Sequence, residues 1–132
     1  TFTNPEEAGI LVEESGVDYL AIAVGAGQGV YNCEPKLDYD RIEKIRDIVD
    51  IPLVLHGSSG VPYESLEKAI SLGICKINID TDIRASFAKA VKEHLANNPN
   101  EIDPRKILGP ATLAMKEVIK EKMGVFGSVN RA

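Results

Sequence analysis

Three times in this chain a short apolar run gives way to a polar or glycine-rich loop and then to an amphipathic helix. The runs are Val17–Val24 (VDYLAIAV), Ile51–Leu55 and Ile74–Ile79. This alternation constrains the fold more than any other feature, because it demands parallel strands joined by right-handed helical crossovers. Two α/β architectures satisfy it, a doubly wound sheet and part of a (β/α)8 TIM-type barrel. A whole barrel needs roughly 200 residues or more, and the chain has 132. If it belongs to a barrel, residues 1–132 form a single region equal to about its second half, with three clear strands and further helices at the carboxyl end.

The helices announce themselves by their caps. Asn4-Pro5-Glu6-Glu7 combines an N-cap, a proline at the first helical position and acids at the positive end of the dipole, and Gly16 ends that helix. A second helix starts near Asp38 and keeps Ile42, Ile45 and Val49 on one face. A third turns Leu66, Ala69 and Ile70 inward and is capped by Gly73. A fourth spaces Ile83, Phe87, Val91 and Leu95 four apart and stops at Asn97-Asn98-Pro99. Asp103-Pro104 opens a last helical segment, expected to break at Gly109-Pro110 and to resume as far as about Met123.

The densest chemistry lies in Ile51–Pro62, IPLVLHGSSGVP. Its apolar run reads as a strand buried on both faces. His56 falls where that strand ends, and the carboxyl ends of parallel strands are where such folds do chemistry. Gly57-Ser58-Ser59-Gly60 follows, with glycines that turn sharply and N–H and hydroxyl groups suited to an anion; Pro62 then starts a helix. On its own the stretch fits either a metal or acid–base histidine beside a phosphate cradle, or an ordinary βα turn with a satisfied histidine.

Bulk properties narrow the classes. A net charge of −5 without a basic cluster argues against nucleic acid as a partner. No apolar run approaches the length of a membrane span, and no signal peptide is expected before Thr1. Thr1-Phe2-Thr3 leads straight into a helix signal with no initiator Met, so the start of a longer chain is expected to be missing. Cys33 and Cys75 make no metal spacing and are too few for a disulfide framework, so reduced thiols and a cytoplasmic location are expected, with Cys75 a small buried hydrophobe. His94, among Lys92, Glu93 and Asn97, is expected in solvent.

Three loops stand out together: GAGQGVY at 25–31, LVLHGSSGVP at 53–62 and KINIDTDIRASF at 76–87. With DPRKILGP at 103–110 and the ending FGSVNRA, they resemble the class II fructose-bisphosphate aldolases and their tagatose-bisphosphate relatives, in order and spacing over essentially the whole chain. The matching part is the carboxyl-terminal half of that family's barrel. The resemblance implies zinc-dependent, reversible cleavage of a ketose 1,6-bisphosphate to dihydroxyacetone phosphate and glyceraldehyde 3-phosphate, zinc polarising the ketone as a Lewis acid. It implies that His56 is one of three zinc histidines. Gly29, Gly57 and Ser59 correspond to the phosphate cradle, completed by Asp80 and Thr81. Asn78 corresponds to the catalytic side chain that steadies the enediolate, and Arg105 to the arginine for the second phosphate. For Arg105 the plainer alternative is a solvated first-turn side chain, and for the NIDTD loop a polar helix cap.

Two departures bear on activity. Gln28 stands where the family has a zinc histidine, and a carboxamide oxygen is a weaker zinc ligand than imidazole. The remaining zinc histidine and the acid/base aspartate belong to the family's amino-terminal half. The chain alone is therefore expected to be inactive, with zinc weak or absent, and to associate with a missing amino-terminal half or a second copy as a homo-oligomer. The rival expectation is a non-catalytic sugar-phosphate-binding remnant or a structural half-barrel module.

Overall fold

A computed structural model of the chain describes residues 2–27 and 35–131. They form two compact units, Thr1–Ile79 and Asp80–Ala132. In the first, α1 (Pro5–Ser15), β1 (Leu20–Ile22), α2 (Tyr39–Ile48), β2 (Leu53–Leu55), α3 (Tyr63–Ser71) and β3 (Ile74–Ile77) alternate along the chain. The strands make one parallel sheet in the order β1-β2-β3. The second unit is two helices, α4 (Thr81–Asn97) and α5 (Pro104–Val125). Among the described residues no helix is long and apolar enough to cross a membrane.

The caps act as their residue types dictate. Asn4 Oδ1 accepts from the N–H groups of Glu6 (2.9 Å) and Glu7 (3.4 Å), and Gly16 closes α1 in the left-handed conformation at φ 63°. Asp38 caps α2 by accepting from Arg41 N–H at 3.0 Å, while its other oxygen pairs with Arg41 Nε at 2.9 Å. Burial alone would raise the Asp38 pKa, but these contacts with Arg41 outweigh it and hold the carboxyl below its ordinary value.

The core lies under the sheet's middle strand. All three residues of β2 are buried, as a strand covered on both faces requires. Ile42, Ile45 and Val49 of α2, and Leu66 and Ala69 of α3, are buried too. Leu55, fully buried at the end of β2 and immediately before His56, couples core to site. Leu55→Ala is expected to cost about 2–5 kcal/mol of folding stability, measurable as a lowered urea midpoint with unchanged slope. A loss below about 0.5 kcal/mol, the range of surface substitutions, would show that the strand end is not tightly packed.

The strands are shorter than the apolar runs suggest. β1 covers only Leu20–Ile22 of the expected Val17–Val24, β2 begins at Leu53 rather than Ile51, and β3 ends at Ile77 rather than Ile79. Ladder bonds extend only where a neighbour lies alongside, and β2 offers β1 just three partners, Leu53, Val54 and Leu55.

Three further expectations are corrected. The helix at Gly109-Pro110 does not break: α5 is continuous with Pro110 inside it. Proline forfeits one backbone bond there, but α5 packs along α4 and buries Ala111 next to it. Cys75 is exposed: the register slips from Leu53–Ile74 to Val54–Lys76, so Cys75 is the extra residue of an irregularity in the ladder and does not face the core. His94 is only half-exposed, and its Nε2 is buried with no hydrogen-bond partner among the described residues. It continues the Phe87 and Val91 stripe at helical spacing, whereas Leu95 drifts outward to 39% exposure.

Candidate active site

Strand register builds the site. Leu55 at the end of β2 is the lateral partner of Ile77 at the end of β3. The residues that follow, His56 and Asn78, therefore emerge next to each other at the carboxyl edge of the sheet. Asn78 N–H donates to the Leu55 carbonyl at 3.0 Å, which carries the parallel pairing one step past the strands. The Asn78 carboxamide then meets the His56 ring, Nδ2 lying 3.0 Å from Nδ1 and 3.3 Å from Nε2. On its other side, Lys76 Nζ donates to Asn78 Oδ1 at 2.5 Å. Lys76 and Asn78 are two apart, so the pleat puts them on one face. All three side chains form a single polar row, Lys76–Asn78–His56.

The HGSSG loop turns as its glycines allow. Gly57 and Gly60 take φ of 67° and 78°, conformations that side chains rarely adopt. Val61 N–H closes the turn on the Ser58 carbonyl at 3.3 Å. Both serines are buried, and Ser58 Oγ has no hydrogen-bond partner among the described residues. Pro62 is the N-cap of α3, with no side-chain cap of its own.

In the second unit, Asp80 is the N-cap position of α4 and Thr81 its first residue. The Asp80 carboxylate makes no capping bond; it pairs with Arg84 Nε at 2.8 Å. Asp82 reaches across to α5 and pairs at 2.7 Å with Lys122, which is 8% exposed. Arg105, on the first turn of α5, has a side chain 89% exposed and clasped by Asp103 through Nε at 3.0 Å and Nη2 at 2.8 Å. That clasp holds the Asp103 carboxyl below its ordinary pKa and raises that of Arg105. The solvated first-turn arginine is thus what the structure contains, its fork turned toward its own cap.

Gln28, Gly29 and Cys33 lie outside the described residues. Among the described residues no three of the histidines, cysteines and acids are grouped as metal ligands, and His56 is the one imidazole at the sheet edge. By themselves these residues do not fit a zinc site. Lys76 and Ser58 were missed by sequence reasoning. The signal for Lys76 was present, since a strand residue two before Asn78 must share its face; the burial of Ser58 has no signature in sequence.

Comparison with known proteins agrees with the geometry. The family model for fructose-bisphosphate aldolase class-II matches residues 1–131. A fructose-bisphosphate aldolase of Thermus caldophilus is 48% identical, over 98% of this chain and 50% of its own length. Among solved structures, the YdjI aldolase of Escherichia coli K12 superposes with a TM-score of 0.85 at 38% identity, over 98% of this chain and 46% of that one. The fructose-bisphosphate aldolase of Campylobacter jejuni, at 24% identity, shares the fold with a TM-score of 0.80, over 99% of this chain and 47% of its own. The chain thus spans about half the length of the relatives it matches, and its three-stranded parallel sheet with helices is part of their barrel. It belongs to the class II fructose-bisphosphate aldolase family.

Proposed function

We propose that the chain is the carboxyl-terminal half of a class II aldolase barrel, a single region that supplies the electrophilic side of the site. The reaction is reversible cleavage of fructose 1,6-bisphosphate, or its tagatose epimer, to dihydroxyacetone phosphate and glyceraldehyde 3-phosphate. Cleavage breaks the C3–C4 bond as the C4 hydroxyl loses its proton, and the electron pair ends on the C2 oxygen as an enediolate. Asn78 donates an amide N–H to that oxygen, a preorganised donor aimed at developing charge. The acid/base carboxylate comes from the amino-terminal half. The supporting observation is the Lys76–Asn78–His56 row at the carboxyl ends of adjacent parallel strands, where barrels of this kind do their chemistry.

His56 is proposed as a zinc ligand only in the completed barrel, joined by the one zinc histidine of the amino-terminal half, with Gln28 at the third position. The test is turnover once the amino-terminal half is added to the chain carrying Gln28→His; a completed, folded, zinc-loaded barrel without aldol cleavage would favour the non-catalytic rival.

Gly29, Gly57 and Ser59 are proposed to bind one phosphate group; Asp80 and Thr81 at the start of α4 are proposed to bind phosphate oxygens through backbone N–H and hydroxyl donors. Arg105 would take the other phosphate, which requires it to exchange its Asp103 clasp for the ligand. Inorganic phosphate should bind the chain near millimolar, about −4 kcal/mol, with Ser59→Ala and Thr81→Val each weakening it severalfold and salt competing. A titration that moves no amide resonance in either loop would remove the phosphate assignment.

Association is proposed as well. Among the described residues β1 and β3 are the outer strands of the sheet, and open strand edges pair with further chain. Light scattering should find a dimer or higher species at high concentration, in the cytoplasmic setting this reading implies. A well-folded monomer there would contradict it.

A further inference from the structure

We infer that Lys76 is a positioning residue that fixes which way the Asn78 carboxamide faces. The inference deepens the aldolase reading and rests on it for its kinetic consequence, although its structural content does not.

A carboxamide has two ends of similar shape and opposite polarity: Oδ1 accepts and Nδ2 donates. Turned the wrong way, Asn78 would present an acceptor to a developing oxyanion and would repel what it should stabilise. Something must therefore decide the orientation. His56 cannot, because either ring nitrogen donates or accepts according to tautomer. An ammonium group decides it, because it has three donors and no acceptor. Lys76 Nζ lies 2.5 Å from Oδ1, so this end of the amide can only be the carbonyl. Nδ2 is thereby turned toward the His56 ring, 3.0 Å from Nδ1 and 3.3 Å from Nε2.

The backbone makes this arrangement cheap in conformational freedom. Lys76 is a residue of β3, and Asn78 is held one step past it by its N–H bond to the Leu55 carbonyl. Both Cα positions are therefore set by the sheet, and only the lysine's own side chain remains to be ordered. The role does not follow from charge at large. Lys68, also in this unit, lies over the Tyr39 ring at 4.1 Å and serves no polar row. An arginine at position 76 would keep the donor-only character; a methionine would keep the bulk and lose it.

The test has two arms. In the chain as it stands, nuclear Overhauser contacts between the Asn78 amide protons and the His56 ring protons should be strong in the wild type. They should survive Lys76→Arg and fall by half or more in Lys76→Met, with the backbone spectrum unchanged. In the completed barrel, Lys76→Met should lower kcat on the order of tenfold, the usual scale for residues that orient a site from behind, with KM altered less than about twofold. Introduced into Asn78→Ala, the same substitution should change kcat by less than about twofold, because the two act as one unit. Unaltered Overhauser contacts in a folded Lys76→Met chain would overturn the proposal, and so would additive losses in the double variant. If the completed barrel cleaves no sugar bisphosphate even with Gln28→His and zinc loaded, the aldolase reading fails, and the Overhauser arm still decides the role of Lys76.

Discussion

Asn78→Ala, in the barrel completed with its amino-terminal half, should lower kcat for fructose 1,6-bisphosphate cleavage by about 10²–10³-fold, the cost of removing one preorganised oxyanion donor. KM should change far less, because the interaction strengthens only as charge moves onto the C2 oxygen. The fold should not suffer. Asn78 contributes its backbone N–H to the Leu55 carbonyl, and alanine keeps that bond. Steady-state kinetics beside a thermal unfolding curve separate the two effects. A loss expressed mainly in KM would make Asn78 a ground-state binding residue instead.

Gln28→His should raise zinc content and cleavage rate together. Catalytic zinc sites hold the metal with three protein ligands and keep one position open. On the proposed reading, the completed barrel would offer zinc two imidazoles and the Gln28 carboxamide. The purified chain should carry far less than one zinc, since the proposed reading gives it a single zinc histidine, His56, and no group of three metal-ligating side chains occurs among the described residues. Histidine at position 28 should tighten zinc on the order of tenfold or more, imidazole being much the better ligand for a borderline-soft ion. Metal analysis after dialysis, set beside the cleavage rate, checks both. Full zinc and unchanged turnover with Gln28 in place would make the glutamine a working ligand rather than a lesion.

The fold was legible wherever one local signal sufficed. Asn4, Gly16 and the Ile42–Ile45–Val49 face behave as their residue types require, because caps and helical periodicity need nothing beyond a few neighbours in sequence. What required a second element was misjudged. Cys75 sits in an apolar run, but which of its neighbours faces the core depends on the partner strand. Pro110 carries a strong local veto on helix, which the packing of α5 on α4 overrides. His94 has charged neighbours in sequence and a buried Nε2 in space.

The site divides along the same line. His56 and Asn78 could be read from motifs, and their contact follows from the register of β2 and β3. The orientation of the amide follows from a third residue, Lys76, which opens the KINIDTD motif but was given no role from it. Arg105 shows the reverse case: its motif names a ligand for phosphate, while its nearest charge is the Asp103 carboxylate two residues before it.

The account turns on His56 and Asn78 being half of a working aldol site, and one measurement bears on it most directly. The chain carrying Gln28→His is joined with the amino-terminal half, loaded with zinc, and assayed for release of dihydroxyacetone phosphate from fructose 1,6-bisphosphate, with His56 intact and as His56→Ala. The account predicts steady turnover and bound zinc with His56, and loss of both with alanine while the barrel stays folded. Equal turnover in the two forms would show that the catalytic centre lies elsewhere, and the Lys76–Asn78–His56 row would have no part in the chemistry.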